Sequence, residues 1–326
     1  MKRKDSLSRK AMKLLCTLLG LILAVMLGVT AVFQNYLKQI NFIPSAAVED
    51  NAILEVFSQL SFSGSGDRRI GGINSGLINI LLIGQDAREG ETQSQARSDS
   101  MILCTYNKNT RHMTMTSFLR DLYVPIPGHG SNRINAAYNY GGASLLQKTI
   151  DQNFNIAIDG CIEVDFSHFS DIIDSMGGVE IDLRQDEADE INRQTGSSLT
   201  EGCHLLDGFQ ALTYSRIRSL DLDGDFSRTN RQRKLISALA DSLRGSSIKE
   251  LTPLISNILP MIATDLSRGQ LLLYAVEILP HLSQMEILSQ RIPAEGTFTD
   301  KTIDGMAVLD ADIEAQRQYL QKTLIS

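Results

Sequence analysis

Hydrophobic and polar positions along the chain fall into three regimes. From Leu14 to Phe33 twenty residues run without a charge (LLCTLLGLILAVMLGVTAVF). At a helical rise of about 1.5 Å per residue they span roughly 30 Å, the thickness of a bilayer's hydrocarbon core. The run predicts one N-terminal transmembrane helix. Residues 34–60 carry scattered apolar positions that suit a juxtamembrane helix or stalk, and the glycine- and serine-rich stretch from Ser61 to Gly76 reads as a flexible linker. Beyond Gly76, short apolar runs alternate with amphipathic stretches, so residues 77–326 are expected to form one large domain.

Within that domain Leu77–Ile83 is a continuous apolar run stopped by Gly84, as expected for a strand buried on both faces. Ser100–Tyr106 and Met113–Phe118 predict two further strands, joined as a hairpin through Asn107-Lys108-Asn109-Thr110. Helical spacing then covers Ala143–Phe154, a strand is expected over Gly160–Phe166, and Ser167–Met176 reads as a helix capped by Ser167 and stopped by Gly177-Gly178. Val179–Leu183 resumes the strand pattern. Helices follow over Gly208–Arg216, Arg228–Arg244, Ile248–Ile262 and Gly269–Leu279, then a strand over Met285–Ile292 and a closing helix over Asp310–Leu324. This ordering predicts an α/β fold, a sheet with helices on both faces.

Charge sets the address. Lys2, Arg3, Lys4, Arg9, Lys10 and Lys13 precede the apolar run against Asp5 alone, so residues 1–13 are expected to be a basic cytoplasmic tail and the domain to lie outside the membrane. A cleaved signal peptide is the competing reading. It is disfavoured because the run exceeds the ~7–15 residues of a signal's apolar core and lacks a small-x-small cleavage site after it. Of 31 basic residues 25 follow the run, against 37 of 38 acidic ones, giving the remainder a formal charge of −12. That balance argues against nucleic acid as a partner. Outside the membrane run lie Cys104, Cys161 and Cys203. Buried free thiols are the preferred reading, with a Cys161–Cys203 disulfide as the alternative.

Three arginine–aspartate pairs sit at strand ends: Asp86 with Arg88, Arg97 with Asp99, and Arg120 with Asp121. A strand-end aspartate commonly only caps a turn. Three such pairs exceed what a solvated surface needs, and open α/β sheets place ligand sites at strand ends. Arg133, Asn135 and Tyr138 add a cation and hydrogen-bond donors, although Asn135 could equally cap a helix. The densest signal is five arginines, Arg216, Arg218, Arg228, Arg231 and Arg233, within eighteen residues. Guanidinium forks pair bidentately with phosphate oxygens and stay protonated at biological pH, so several together suit a pyrophosphate. Arg228 and Gln232, four residues apart, share a helix face and can address one ligand, whereas Arg231 and Arg233 diverge from it and read as surface or salt-bridge residues. Asp225 reads as a structural ion-pair partner. Asp86 and Asp99 could hold Mg²⁺, which prefers carboxylate and phosphate oxygens.

With these residues in place, the chain resembles the LytR-CpsA-Psr family. The carriers are NILLIGQDAR, RSDSMIL, TSFLRDLYVPIPGHG, RINAAYNYGG, VDFSHFSDIIDSMGGVEIDL, LDGFQALTYSRIR and GDFSRTNRQRKLI, in the family's order. Arg133 stands where many relatives have Lys, and Leu119 where many have Pro. The resemblance implies a central mixed β-sheet flanked by helices, with an apolar cavity for a polyprenyl tail. It implies a phosphotransferase moving a glycopolymer (teichoic acid, capsule or another wall polysaccharide) from a polyprenyl-pyrophosphate carrier to N-acetylmuramic acid of peptidoglycan. It assigns Asp86 and Asp99 to Mg²⁺ (or Mn²⁺), and Arg88, Arg97, Arg120, Arg133, Arg216, Arg218, Arg228 and Gln232 to the pyrophosphate. Asp99, Arg120 and Arg218 are the residues expected to matter most in catalysis, with Asp99 as candidate base. Two other functions compete with this one: a hydrolase that splits the lipid-linked pyrophosphate, and a non-catalytic, lipid-binding regulator of the cell envelope.

Overall fold

The computed structural model describes residues 40–42, 76–86, 97–218, 220, 225–244, 246 and 248–325. The apolar run Leu14–Phe33 and nearly all of the linker lie outside the described residues. Among the described residues no helix is long and apolar enough to cross a membrane. The elements below belong to one compact unit, Asn41–Ser326.

The strands are β1 Asn41–Phe42, β2 Leu77–Asp86, β3 Arg97–Asn107, β4 His112–Phe118, β5 Tyr123–Ile126, β6 Gly130–Arg133, β7 Gly160–Asp165, β8 Val179–Leu183, β9 Gly202–Leu206, β10 Ala263–Thr264, β11 Ile287–Ile292, β12 Phe298–Ile303 and β13 Met306–Ala311. The helices are α1 Ala136–Phe154, α2 Phe166–Ser175, α3 Gln185–Thr195, α4 Gly208–Arg216, α5 Asp225–Ser242, α6 Ile248–Ile258, α7 Arg268–Ile278 and α8 Ile313–Ile325. Seven strands make one mixed sheet in the order β1-β10-β7-β2-β3-β4-β11. The expected hairpin is present, with β2, β3 and β4 successively antiparallel, while β7 and β11 add in parallel to β2 and β4. Asn41–Phe42, in the stretch read as juxtamembrane, pairs with β10 at the sheet edge, so the sheet takes in residues ahead of the expected boundary at Leu77.

Both faces of the sheet are covered, which is why β2 reads as an unbroken apolar run. One face sends Leu81, Ile83, Met101 and Leu103 into a core with Leu146, Ile150 and Phe154 of α1 and Leu320 and Leu324 of α8. Full burial of side chains of this size stabilises the fold by about 1.5–3 kcal/mol each. The other face meets α2, α5 and α7. Asn79, polar yet fully buried in β2, is held by its neighbours: its amide side chain donates to the Ala157 carbonyl at 2.9 Å and accepts from the Thr105 hydroxyl at 2.8 Å.

Several expectations are corrected. Val179–Leu183 is a strand, but it pairs with β9 in a separate two-stranded ribbon. Its alternate residues are exposed, the pattern of a strand with one buried face. With α3, α4 and α5 this ribbon forms a second core around Ile181, Leu183, Ile191, Leu206, Tyr214 and Leu235. Asp165, not Ser167, caps α2, accepting from the His168 amide at 2.8 Å, and Ser167 donates to the same carboxylate. Asn135 precedes α1 without making a side-chain cap. The closing helix begins at Ile313, because Met306–Ala311 is a strand returning from β12 through Asp304-Gly305, both at positive φ. That pair is a two-residue hairpin turn in which glycine supplies the second left-handed position. The thiols are free, but while Cys161 is buried, Cys203 is exposed on the ribbon, against the expectation that all would be buried.

Candidate active site

The ladder registers explain how dispersed motifs meet. Because β3 runs antiparallel to β2, the end of β2 (Gly84 to Asp86) lies beside the start of β3 (Arg97 to Ser100). Because β4 runs antiparallel to β3, Phe118 returns to that same end of the sheet, and parallel β7 brings Asp165 beside Gln85. All three arginine–aspartate pairs therefore originate at one sheet end. Gly84 pairs with Ser100 but Gln85 pairs with Ser98, so Asp99 is the extra residue of a β-bulge. Bulges re-aim a side chain and recur beside active sites. The side chains of Asp86, Arg97 and Asp99, and the whole of Arg88, lie outside the described residues. Among the described residues no cluster of three or more potential metal-ligating side chains occurs.

The described part of the site is a chain of alternating charges. Arg133 Nη1 lies 2.9 Å from Asp121 Oδ1, and Arg120 Nε lies 3.5 Å from Asp121 and 3.4 Å from Asp225. Arg228 Nη2 closes the series 2.7 Å from Asp225 Oδ1. Asp225 is the structural partner expected from sequence, but it bridges two site arginines and so orients both. Among the described residues three guanidinium groups and two carboxylates thus alternate along this sheet end. Arg228 is 2% exposed, and at that depth its attraction for a phosphate is weakly screened. Arg218 is exposed in the segment after α4. Arg216 holds its guanidinium 4.2 Å over the Phe166 ring, a cation–π arrangement.

Gln232, one helical turn beyond Arg228, accepts a hydrogen bond from Ser100 at 3.0 Å and marks where polar lining gives way to apolar. Behind it lies a cavity of about 140 Å³ between the sheet and α5, lined by Leu82, Ile102, Ile162, Val164, Phe169 and Ile236 among others. Gly84 is also on its wall. A Cβ there would sit 3.1 Å from that of Ser100, so glycine permits close approach of the strands where cavity and charged sheet end meet. The cavity is smaller than the ~300–1,000 Å³ typical of drug-sized ligands, and a long chain would have to widen it.

Two buried groups escaped the sequence reading. Glu163 on β7 accepts hydrogen bonds from Gln85 and from the Tyr138 hydroxyl, the latter at 3.2 Å. Burial pushes its carboxyl above the usual range, against those two hydrogen bonds, which favour the charged form. The other is Glu187 on α3, which accepts from Arg231 Nε at 2.7 Å; Arg231, at 3% exposure, is thus the salt-bridge residue of its two readings rather than a surface one, and it also donates to the Ile217 carbonyl at 3.2 Å. Arg233 is buried as well, and among the described residues no carboxylate pairs with it, so here neither the surface nor the salt-bridge reading holds.

The LytR_cpsA_psr family model matches residues 45–324. The chain belongs to this family. Among curated relatives it is 34% identical over 214 residues to the polyisoprenyl-teichoic acid–peptidoglycan teichoic acid transferase TagT of Bacillus subtilis, covering 64% of this chain and 65% of the relative. The match thus spans slightly less than two-thirds of that protein. Solved structures of LytR-CpsA-Psr proteins share the mixed sheet and flanking helices. TagT bound to LIIa-WTA superposes with a TM-score of 0.63 at 29% identity, covering 78% of this chain and 94% of that one. TagT with bound octaprenyl pyrophosphate lipid gives 0.59 at 27% identity, covering 78% and 92%.

Proposed function

We propose that this LytR-CpsA-Psr protein is a membrane-anchored phosphotransferase that moves a glycopolymer from a polyprenyl-pyrophosphate carrier onto peptidoglycan. The observation that carries the reading is the adjacency of an apolar cavity to an arginine-rich sheet end, with Gln232 and Gly84 at the junction. An amphipathic donor needs that combination: hydrocarbon in the cavity, pyrophosphate on the guanidinium forks. The relatives' names support the same chemistry, and the apolar run Leu14–Phe33 would hold the domain beside the leaflet that carries the donor.

The acceptor is a muramyl 6-hydroxyl, and the polymer a teichoic acid, capsule or similar wall polysaccharide. The hydroxyl oxygen bonds to the sugar-proximal phosphorus as the bond from that phosphorus to the bridging oxygen breaks. Polyprenyl phosphate leaves with the electron pair. Arg120, Arg218 and Arg228 stabilise the charge spreading over the phosphoryl oxygens, with Arg88, Arg97, Arg133 and Arg216 completing the anion site. Asp99, presented by the bulge, takes the hydroxyl proton. The carboxylates of Asp86 and Asp99 are hard-oxygen donors of the kind Mg²⁺ or Mn²⁺ prefers; they would hold such an ion, which would neutralise the pyrophosphate.

Incubating the full-length protein in detergent with radiolabelled lipid-linked glycan and peptidoglycan is expected to yield label in the wall polymer and free lipid monophosphate. Label released only to water would replace transfer with hydrolysis. Substituting Ile236 by tryptophan should fill the cavity. KM for donors with long prenyl tails is then expected to rise at least tenfold, with little change for donors bearing one or two isoprene units. Equal effects on both donors would place the tail elsewhere.

A further inference from the structure

On the opposite side of α5 from the charge series lies a second, polar pocket of about 420 Å³. Its floor is Arg233, five residues beyond Arg228 and so turned about 140° around the helix from it. Arg233 is 7% exposed. Its guanidinium donates to the hydroxyls of Ser289 and Ser117, each at 2.7 Å. Among the described residues no carboxylate pairs with it.

Burying a guanidinium against neutral acceptors costs several kcal/mol unless other interactions compensate. Two hydroxyls engage two of its five N–H donors and none of its charge. A second cation makes matters worse: Arg291 on β11 also lines the pocket, held 4.3 Å over the Phe226 ring. Burial and then Arg291 push Arg233 down to about 10, still protonated at neutral pH. The one acidic residue of the lining, Glu295, lies 3.7 Å from Arg291 with its side chain 92% exposed, where water screens it. Two guanidinium groups thus reach one pocket from different elements, α5 and β11, and an anion between them would relieve their repulsion. Around them Ser227, Asn230 and Gln290 offer neutral hydrogen-bonding groups suited to hydroxyls.

We infer that this pocket is a second anion site, which binds a phosphate group carried on a saccharide between Arg233 and Arg291. Phosphate suits it better than carboxylate, because two planar forks arriving from different directions can each engage a pair of oxygens of a tetrahedral group. The inference stands whether or not group transfer proves to be the reaction.

The test titrates the full-length protein in detergent with glycerol 3-phosphate, read by ³¹P line broadening, and separately with a phosphate-free muramyl disaccharide-peptide, read by saturation transfer. Two variants are compared with the natural protein: Arg291→Gln at the pocket wall, and Arg233→Lys, which keeps the charge but loses the fork. Both are expected to weaken glycerol 3-phosphate binding at least tenfold and to leave peptide binding within twofold. Unchanged phosphate affinity in Arg291→Gln overturns the site, even if Arg233→Lys fails to fold. A loss confined to the peptide arm overturns the phosphate assignment, since the guanidinium pair would then be reading carboxylates.

Discussion

Arg218→Ala is expected to lower kcat for glycopolymer transfer by about 10²–10³-fold, the usual cost of removing one donor aimed at charge that develops in a transition state. Arg218 is the informative choice because it is exposed and lies outside both hydrophobic cores, so its loss should leave the melting temperature nearly unchanged. Arg120 and Arg228 offer no such separation, since both are tied to Asp225. The measurement pairs kcat and KM for a soluble short-chain donor with a melting curve. A proportionate rise in KM with kcat preserved would mean that Arg218 binds ground and transition states alike. Unchanged kinetics would remove it from the site.

Arg231→Ala should be the most destabilising single change at this helix. It leaves the Glu187 carboxylate, whose side chain is 5% exposed, with only the half-exposed Arg184 guanidinium 4.0 Å away. Breaking a buried pair from one side typically costs about 3–5 kcal/mol, on the order of 10 °C in Tm for a domain of this size. The same guanidinium holds the Ile217 carbonyl, directly before Arg218, so activity should fall with stability. Combining Arg231→Met with Glu187→Gln removes both charges and is expected to recover much of the loss in thermal denaturation. A single variant melting within about 2 °C of the natural protein would show the pair to be energetically idle.

These two arginines illustrate what sequence could and could not reveal. Helical spacing correctly placed Arg228 and Gln232 on one face and turned Arg231 and Arg233 away from it. Spacing does not say what waits on the other faces. Because α5 is walled in by the sheet on one side and by the ribbon and α3 on another, directions that would be solvent on an ordinary surface helix are interior here. The β3–β4 hairpin, α4 and, to within a residue, the bounds of α2 and α7 were legible because apolar periodicity and glycine stops act locally, whereas the strongly polar α3 was not read. β12 and β13 were missed although Asp304-Gly305 is a strong turn signal, because β12 is largely exposed and the mostly half-buried β13 (MAVLDA) lacks apolar alternation. The cavity was illegible for a different reason. Leu82, Ile102, Ile162 and Val164 are the residues any buried strand would carry, and only the distance between α5 and the sheet distinguishes a lined space from a filled core.

The sheet end that gathers the arginine–aspartate pairs also bears on how the protein matures. Its defining contacts are distant in sequence: Ser100 meets Gln232 across 132 positions, and Ser117 meets Arg233 across 116. Closing loops of that length costs entropy that only the completed sheet repays. In a half-folded chain the same arginines are scattered cations with no shared focus. A newly made molecule therefore focuses these charges only on reaching its native topology, and any anion site built from them is absent from misfolded copies.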